Sequence, residues 1–333
     1  MKSDAEEDIM KTVIIGPGGV GLALGSCLHF SRNPVCFVGR KSQATHPLET
    51  EGLYRTGMFG EVFVAPDALE FYSEIESLSG TAPDYILICT KADALDEVGS
   101  ALRSIWGSLE SEPKVVLCQN GWGHFERMAR YVPSLQIYNA RIITGFNRLS
   151  ANRVEITVHA DSIHVGSLAG GSIERITDLT EAIQSGGIPC RGSSEIEADL
   201  LAKLLYNCLL NPLGALVGVP YGVLGERSET RFLMQGIARE IFSVLEASGR
   251  STQWSNADQY LSFFYEELLP MTAEHRSSML QDLNVGRTTE IESLNGAIVR
   301  MGARSRVATP INQAIRTLIH TAESRTGQNS KPE

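Results

Sequence analysis

Residues 12–25 read TVIIGPGGVGLALG, and the fold turns on this stretch. Val13, Ile14 and Ile15 form a short, β-branched apolar run, the pattern of a parallel strand buried on both faces. The chain then turns through Gly16-Pro17-Gly18-Gly19-Val20-Gly21 and continues, from Leu22 to Leu28, as small and apolar residues at helical spacing. G-x-G-x-x-G between a strand and a helix is the phosphate-binding turn of a dinucleotide-binding unit. Gly16 permits the tight turn, Gly18 lets the backbone approach a pyrophosphate, and Gly21 lets helix and strand pack closely. Gly19 and Val20 lie where the helix start offers unpaired N–H groups and a positive dipole end to phosphates. The alternative is a Gly-rich turn without a ligand.

Moving outward, Pro34 to Arg40 (PVCFVGR) reads as a second strand. At its end an acidic residue would hold the ribose 2′-OH of NAD, whereas an arginine suits the 2′-phosphate of NADP. The residue there is Arg40, followed by Lys41 and Ser42, so NADPH is the expected cofactor; a solvated basic loop is the other reading. Pro83 to Lys91 and Lys114 to Gly121 are further buried strands, ending in Lys91 and in Asn120-Gly121. Ligands of open α/β sheets lie at that carboxyl edge. Equally, N-G is a common turn and a lysine after a strand is commonly just exposed. Residues 136–143, 154–159 and 162–166 read as three more strands, with Ala160-Asp161 as a hairpin turn between the last two. Ile173 to Ser185 reads as an amphipathic helix and Ile188 to Arg191 as a last strand.

From Ser193 onward the pattern is helical, which sets a boundary near Gly192: residues 11–192 as a Rossmann-type, doubly wound α/β domain and 193–326 as an all-α domain. Ser194 with Glu197, and Thr289 with Glu292, have capping-box spacing. Thr309-Pro310 supplies an N-cap and an N1 proline for the last helix. Within the first of these helices, Lys203, Asn207 and Asn211 are spaced four and four apart on one face, among seven leucines. A helix apolar on most sides is buried, and a buried polar group without a partner costs several kcal/mol. The stripe therefore lines a wet or ligand-filled cleft, or forms an internal network. A partly desolvated lysine loses pKa and suits a general acid. Ser278 and Glu290, in SSMLQDLNVGRTTEIE, have structural readings as well: a helix cap for Ser278, and a carboxylate at a helix start for Glu290.

The 333 residues suffice for two domains. A net charge of −10, from 29 basic and 39 acidic residues, leaves no basic surplus for nucleic acid or an anionic membrane. Met1 to Met10 is acidic and polar, unlike a signal peptide, and the apolar window from Leu200 to Val219 is interrupted by Lys203, Asn207, Asn211 and Pro212. The six cysteines show no C-x-x-C and the seven histidines no paired spacing, so buried free thiols, a cytoplasmic setting and no metal are expected.

Together these residues resemble the ketopantoate reductase (2-dehydropantoate 2-reductase) family over about Thr12 to Ala322. The likeness rests on GPGGVG, on VGR at Arg40, CTKA at Lys91, QNG at Asn120, KLLYNCLLN from Lys203 to Asn211, and SSML-QD followed by R-TTEIE. It implies a Rossmann domain plus a helical domain like the C-terminal domain of 6-phosphogluconate dehydrogenase, with a cleft between them. It further implies NADPH held by Gly16, Gly18, Gly19, Val20, Gly21 and Arg40, with Lys91 and Asn120 bordering nicotinamide and substrate. Lys203 would donate the proton and Glu290 would orient it; Asn207, Asn211 and Ser278 would bind a small 2-oxo acid in pantothenate biosynthesis. A homodimer is compatible with the sequence. Trp122 and His124 after the N-G pair are bulkier than the family pattern. Rival readings are a reductase of another 2-oxo acid, a β-hydroxyacid dehydrogenase, and a non-catalytic NADPH sensor. A short-chain dehydrogenase needs Tyr-x-x-x-Lys, which none of the nine tyrosines provides.

Overall fold

The computed structural model describes residues 9–39 and 46–329, with side chains as far as Arg325. Arg40, Lys41 and Ser42 lie outside the described residues. Among the described residues two compact units emerge: the helical one takes residues 120–123 and those from 197 onward, and the other takes the rest. The expected boundary near Gly192 thus falls a few residues early, and the loop at Asn120–Gly123 goes with the helical unit.

The first unit is built on an eight-stranded sheet. Its strands are β1 (Thr12–Ile15), β2 (Val35–Val38), β5 (Leu69–Tyr72), β6 (Tyr85–Ile88), β7 (Lys114–Leu117), β8 (Ile137–Arg141), β11 (Ile163–Gly166) and β12 (Cys190–Gly192). They run in the order β12-β11-β8-β7-β6-β1-β2-β5. From β5 to β8 all pairs are parallel, and the order is the 3-2-1-4-5-6 of doubly wound dinucleotide-binding sheets. Strand order reverses between β1 and β6, where such folds hold their ligand. Both faces are buried. Ile14, Phe37, Leu87 and Val116 enter one core, whereas Val13, Ile15, Ile86 and Leu117 enter the other. Hence these runs show no polar alternation.

A second sheet has the order β4-β3-β10-β9, from β3 (Leu53–Gly57), β4 (Val62–Val64), β9 (Thr144–Arg148) and β10 (Arg153–His159). Helix α1 (Gly19–Phe30) packs against both sheets, and its Leu22, Leu24 and Leu28 share a core with Phe37, Leu53, Val64, Val154 and Ile156. Burial on both sides is why α1 has no polar face. The second sheet corrects one expectation. Ala160-Asp161 is no hairpin turn, because β10 pairs antiparallel with β9 while β11 joins the main sheet against β8. The alternation of β10 was legible; its partner β9, rich in Gly, Asn and Arg, was not. The unit's other helices are α2 (His46–Glu51), α3 (Leu95–Ile105), α4 (His124–Met128) and α5 (Thr177–Ser185).

The second unit is organised around α6 (Ile196–Val217), long and apolar enough by composition to cross a membrane, with 72% of its most apolar window buried inside the protein. Around it lie α7 (Tyr221–Glu226), α8 (Ser228–Ala247), α9 (Ala257–Phe263), α10 (Leu269–Met271), α11 (Ser278–Asn284), α12 (Asn295–Ser305) and α13 (Pro310–Asn329). Pro212 sits inside α6 and cannot donate to the carbonyl of Cys208. The fully buried Asn295 takes that carbonyl at 3.3 Å and also donates to Asn312 Oδ1 at 2.9 Å. Asn312 in turn donates to Glu240, whose carboxylate accepts the first amides of α13, from Ile311 and Asn312, at 2.7 and 2.9 Å. A carboxylate from α8 therefore caps α13.

Neither capping box forms as spaced. Ser193, one residue before the expected Ser194, accepts from Glu195 N at 3.2 Å, while Glu197 pairs with Arg250. At the second, Thr289 Oγ1 accepts from Ile291 N at 3.3 Å, but the Thr289 amide donates to Glu323 rather than to Glu292.

Candidate active site

The candidate cofactor cradle lies in the first unit and is made of backbone. Gly16 has φ +98°, and its amide donates to Val38 O at 2.9 Å. A Cβ there would lie 2.8 Å from Thr90 N, so only glycine lets β1 turn against the end of β6. A Cβ on Gly21 would collide with Gly16 O, which fixes how closely α1 follows the turn. At Gly18 a Cβ would meet nothing within 4 Å. Gly18 is also the N-cap of α1; it brings no side chain to the first amides, and the first turn holds no acidic residue. Open space before free helix-start amides fits a pyrophosphate. Lys91 is exposed just beyond β6.

The polar stripe on α6 divides in two. Asn211, 6% exposed, belongs to an internal network: Tyr221 Oη donates to its Oδ1 at 2.6 Å, and Ser277 Oγ donates to its main-chain oxygen at 2.7 Å. Asn207, 7% exposed, makes no side-chain hydrogen bond among the described residues. Its polar atoms are not among the fully enclosed unpartnered ones, so the amide is open to water or a ligand. Lys203, half-buried, donates from Nζ to Asn120 Oδ1 at 2.6 Å.

Asn120 joins the catalytic candidates. Its Nδ2 donates to Glu290 Oε2 at 3.0 Å, so one amide links the ammonium to the carboxylate. The backbone enforces this. Gly121 has φ +99°, and a Cβ there would collide with the carbonyl of Ser293. The next amide, of Trp122, donates to that same carbonyl at 2.9 Å. The N-G turn is therefore bolted to the segment carrying Glu290, three residues before Ser293. Trp122 is 7% exposed, and the Arg250 guanidinium stacks on its ring at 5.1 Å. His124 is buried.

Ser278 is exposed, while the preceding Ser277 is fully buried and caps α11 by accepting from Met279 N and Leu280 N. The cap reading of Ser278 thus belongs to its neighbour; in a Ser-Ser pair, cap preference does not say which serine takes the role. Sequence reasoning also missed Tyr221, which no local pattern marks. Among the described residues no group of three or more His, Cys, Asp or Glu could hold a metal ion. All six cysteines are free thiols.

A family model described as ketopantoate reductase PanE/ApbA matches residues 12–170, and its C-terminal counterpart matches 195–323. The 2-dehydropantoate 2-reductase of Aquifex aeolicus is 33% identical over 316 residues, covering 95% of this chain and 97% of that one. The chain belongs to the ketopantoate reductase family. A second member of that family, the 2-dehydropantoate 2-reductase of Lactococcus lactis, is 27% identical, covering 94% of this chain and 98% of that one. Among solved structures, a ketopantoate reductase from Ralstonia eutropha superposes with a TM-score of 0.81 at 23% identity, covering 95% and 99% of the two chains. D-mandelate dehydrogenase, solved with NADH and anilino(oxo)acetate, gives 0.83 at 23% identity with the same coverage. At that identity the likeness is one of fold.

Proposed function

We propose that this protein reduces 2-dehydropantoate to (R)-pantoate with NADPH. The observation that carries the reading is the Lys203–Asn120–Glu290 constellation, an ammonium and a carboxylate held on one amide. NADPH, when bound, supplies the hydride. Gly16, Gly18, Gly19, Val20 and Gly21 would hold its pyrophosphate and Arg40 its 2′-phosphate, with Lys91 and Asn120 bordering the nicotinamide. Reduction leaves negative charge on the substrate's carbonyl oxygen. Lys203 meets that charge with its ammonium and delivers the proton, completing the hydroxyl group. Asn120 fixes the direction of Nζ, and Glu290 fixes Asn120 by accepting from its amide. With Oδ1 of Asn211 taken by Tyr221, its Nδ2 is left to donate to an anionic substrate; the amide of Asn207 is available to the same end. Ser278 is the remaining substrate contact the family pattern assigns. A cytoplasmic setting accords with six free thiols.

The test is NADPH oxidation by the purified protein over a panel of 2-oxo acids. Turnover on 2-dehydropantoate with the highest kcat/KM is the expected result. Higher kcat/KM on another 2-oxo acid overturns the substrate, and no turnover on any of them overturns the reaction.

A further inference from the structure

The turn that carries Glu290 is gripped from both sides. Before it, the Thr289 amide donates to Glu323 Oε1 of α13 at 2.8 Å. After it, the Glu292 carboxylate accepts from Arg300 Nη1 of α12 at 2.7 Å and from Arg316 Nε of α13 at 2.6 Å. The main-chain oxygen of Glu292 also accepts from Arg300 Nη2, at 2.7 Å. His320 of α13 closes the two halves: Nε2 is 2.7 Å from Glu292 Oε1, and Nδ1 is 2.8 Å from Glu323 Oε2. Ionised carboxylates only accept hydrogen bonds. A neutral imidazole donates from one nitrogen and would turn the other's lone pair on a carboxylate, whereas an imidazolium donates from both.

We propose that His320, as an imidazolium bridging Glu292 and Glu323, is a positioning residue that holds the Glu290 turn in register with Asn120 and Lys203. The proposal rests on the roles given above to Lys203 and Glu290. The mechanical route is short. The Glu290 carbonyl accepts from Ser293 N at 2.9 Å, and the Ser293 carbonyl accepts from Trp122 N, two residues after Asn120. A shift of the turn thus moves the carboxylate and the Asn120 loop together.

Among the described residues, the ring pairs with Glu292 from the turn and Glu323 from α13, and Glu292 pairs in turn with Arg316 of α13 and Arg300 of α12. On the other packed elements, Asp282 of α11 pairs with Arg287, and Glu240 of α8 is engaged on the α13 amides. Burial works against the imidazolium, but the hydrogen bonds to Glu292 and Glu323 outweigh it and raise the His320 pKa above its ordinary 6.5. For Glu292, burial works against the carboxylate, and the Arg316 and His320 hydrogen bonds outweigh it, lowering its pKa from 4.5. A raised histidine pKa means the bridge is fully charged below about pH 6.5 and is lost as pH rises through the folded-state value.

The experiment measures kcat and KM for 2-dehydropantoate and NADPH against pH, for wild type, His320→Gln and His320→Arg. Wild-type kcat is expected to fall as the bridge deprotonates. His320→Gln is expected to lower kcat about tenfold at the acid end, to lose that step, and to leave KM for NADPH within about twofold. His320→Arg, a permanent cation with several donors, is expected to restore the acid-end rate and to be insensitive to that step. A His320→Gln protein with the wild-type rate and pH profile overturns the proposal while leaving the catalytic reading intact. Absence of any wild-type turnover overturns that reading and the proposal with it. If His320→Gln does not fold, NMR titration of the wild-type imidazole decides: a ring still charged above about pH 6.5 supports the bridge, and a neutral ring at that pH overturns it.

Discussion

In the Rossmann unit the candidate site is made by leaving atoms out; in the helical unit it is made by putting them in. Gly16, Gly18 and Gly21 would serve through the absence of a Cβ, so that a pyrophosphate placed there would meet backbone amides and a helix dipole. Lys203, Asn120, Glu290 and Asn207 would serve through side chains that their neighbours hold or leave available. A backbone cradle needs only one local turn, whereas a side-chain site needs residues 83 and 170 positions apart to meet. The first kind of site is damaged by adding a methyl group and the second by removing one functional group.

The largest effect should come from taking out the ammonium. Lys203→Ala is expected to lower kcat on 2-dehydropantoate by ~10²–10⁴ while NADPH affinity, read by fluorescence titration, stays within about twofold. Near-normal turnover would remove Lys203 from proton delivery. Next comes Arg40, in the cofactor half. Arg40→Asp is expected to shift the NADPH/NADH preference by about ten- to a hundredfold, the worth of ~1.5–3 kcal/mol of charge-assisted bonding to a phosphate. An unchanged ratio of kcat/KM values would mean that another group reads the 2′-position.

The smallest effects sharpen the contrast within the cradle itself. Gly18→Ala adds a methyl group into open space, so thermal stability should hold while NADPH affinity drops about tenfold from loss of backbone contact to phosphate. Gly21→Ala adds one against Gly16 O, and should instead cost ~1–3 kcal/mol of stability in denaturant unfolding. If the two variants behaved alike, the distinction between ligand space and packing space would fail.

The same contrast explains what could be read from the chain. The glycine turn, the buried strands and the Lys203-Asn207-Asn211 stripe declare themselves locally, through period and residue type. The family pattern located Glu290 and Asn120, but the bond between them depends on Gly121 fitting under Ser293, a contact across 172 residues that no periodicity reports. Likewise the stripe was legible as a face, yet its division into a partnered Asn211 and an available Asn207 hangs on Tyr221 and Ser277 arriving from other segments. The cap position slipped by one residue at Ser277, because adjacent serines carry equal preference and tertiary packing chooses between them. Strand β5, preceded by Pro66-Asp67 and half-exposed, gave too short a signal to be seen as the third strand of the Rossmann order.

On the proposed mechanism, Lys203 and Glu290 act as one device through Asn120. A double-mutant cycle on kcat/KM for 2-dehydropantoate, with Lys203→Ala, Glu290→Gln and the double variant, tests it directly. Residues acting as a unit are strongly non-additive, so the double variant should be no slower than Lys203→Ala alone, within about threefold. Losses that multiply would mean that the two residues work independently, and would contradict the account.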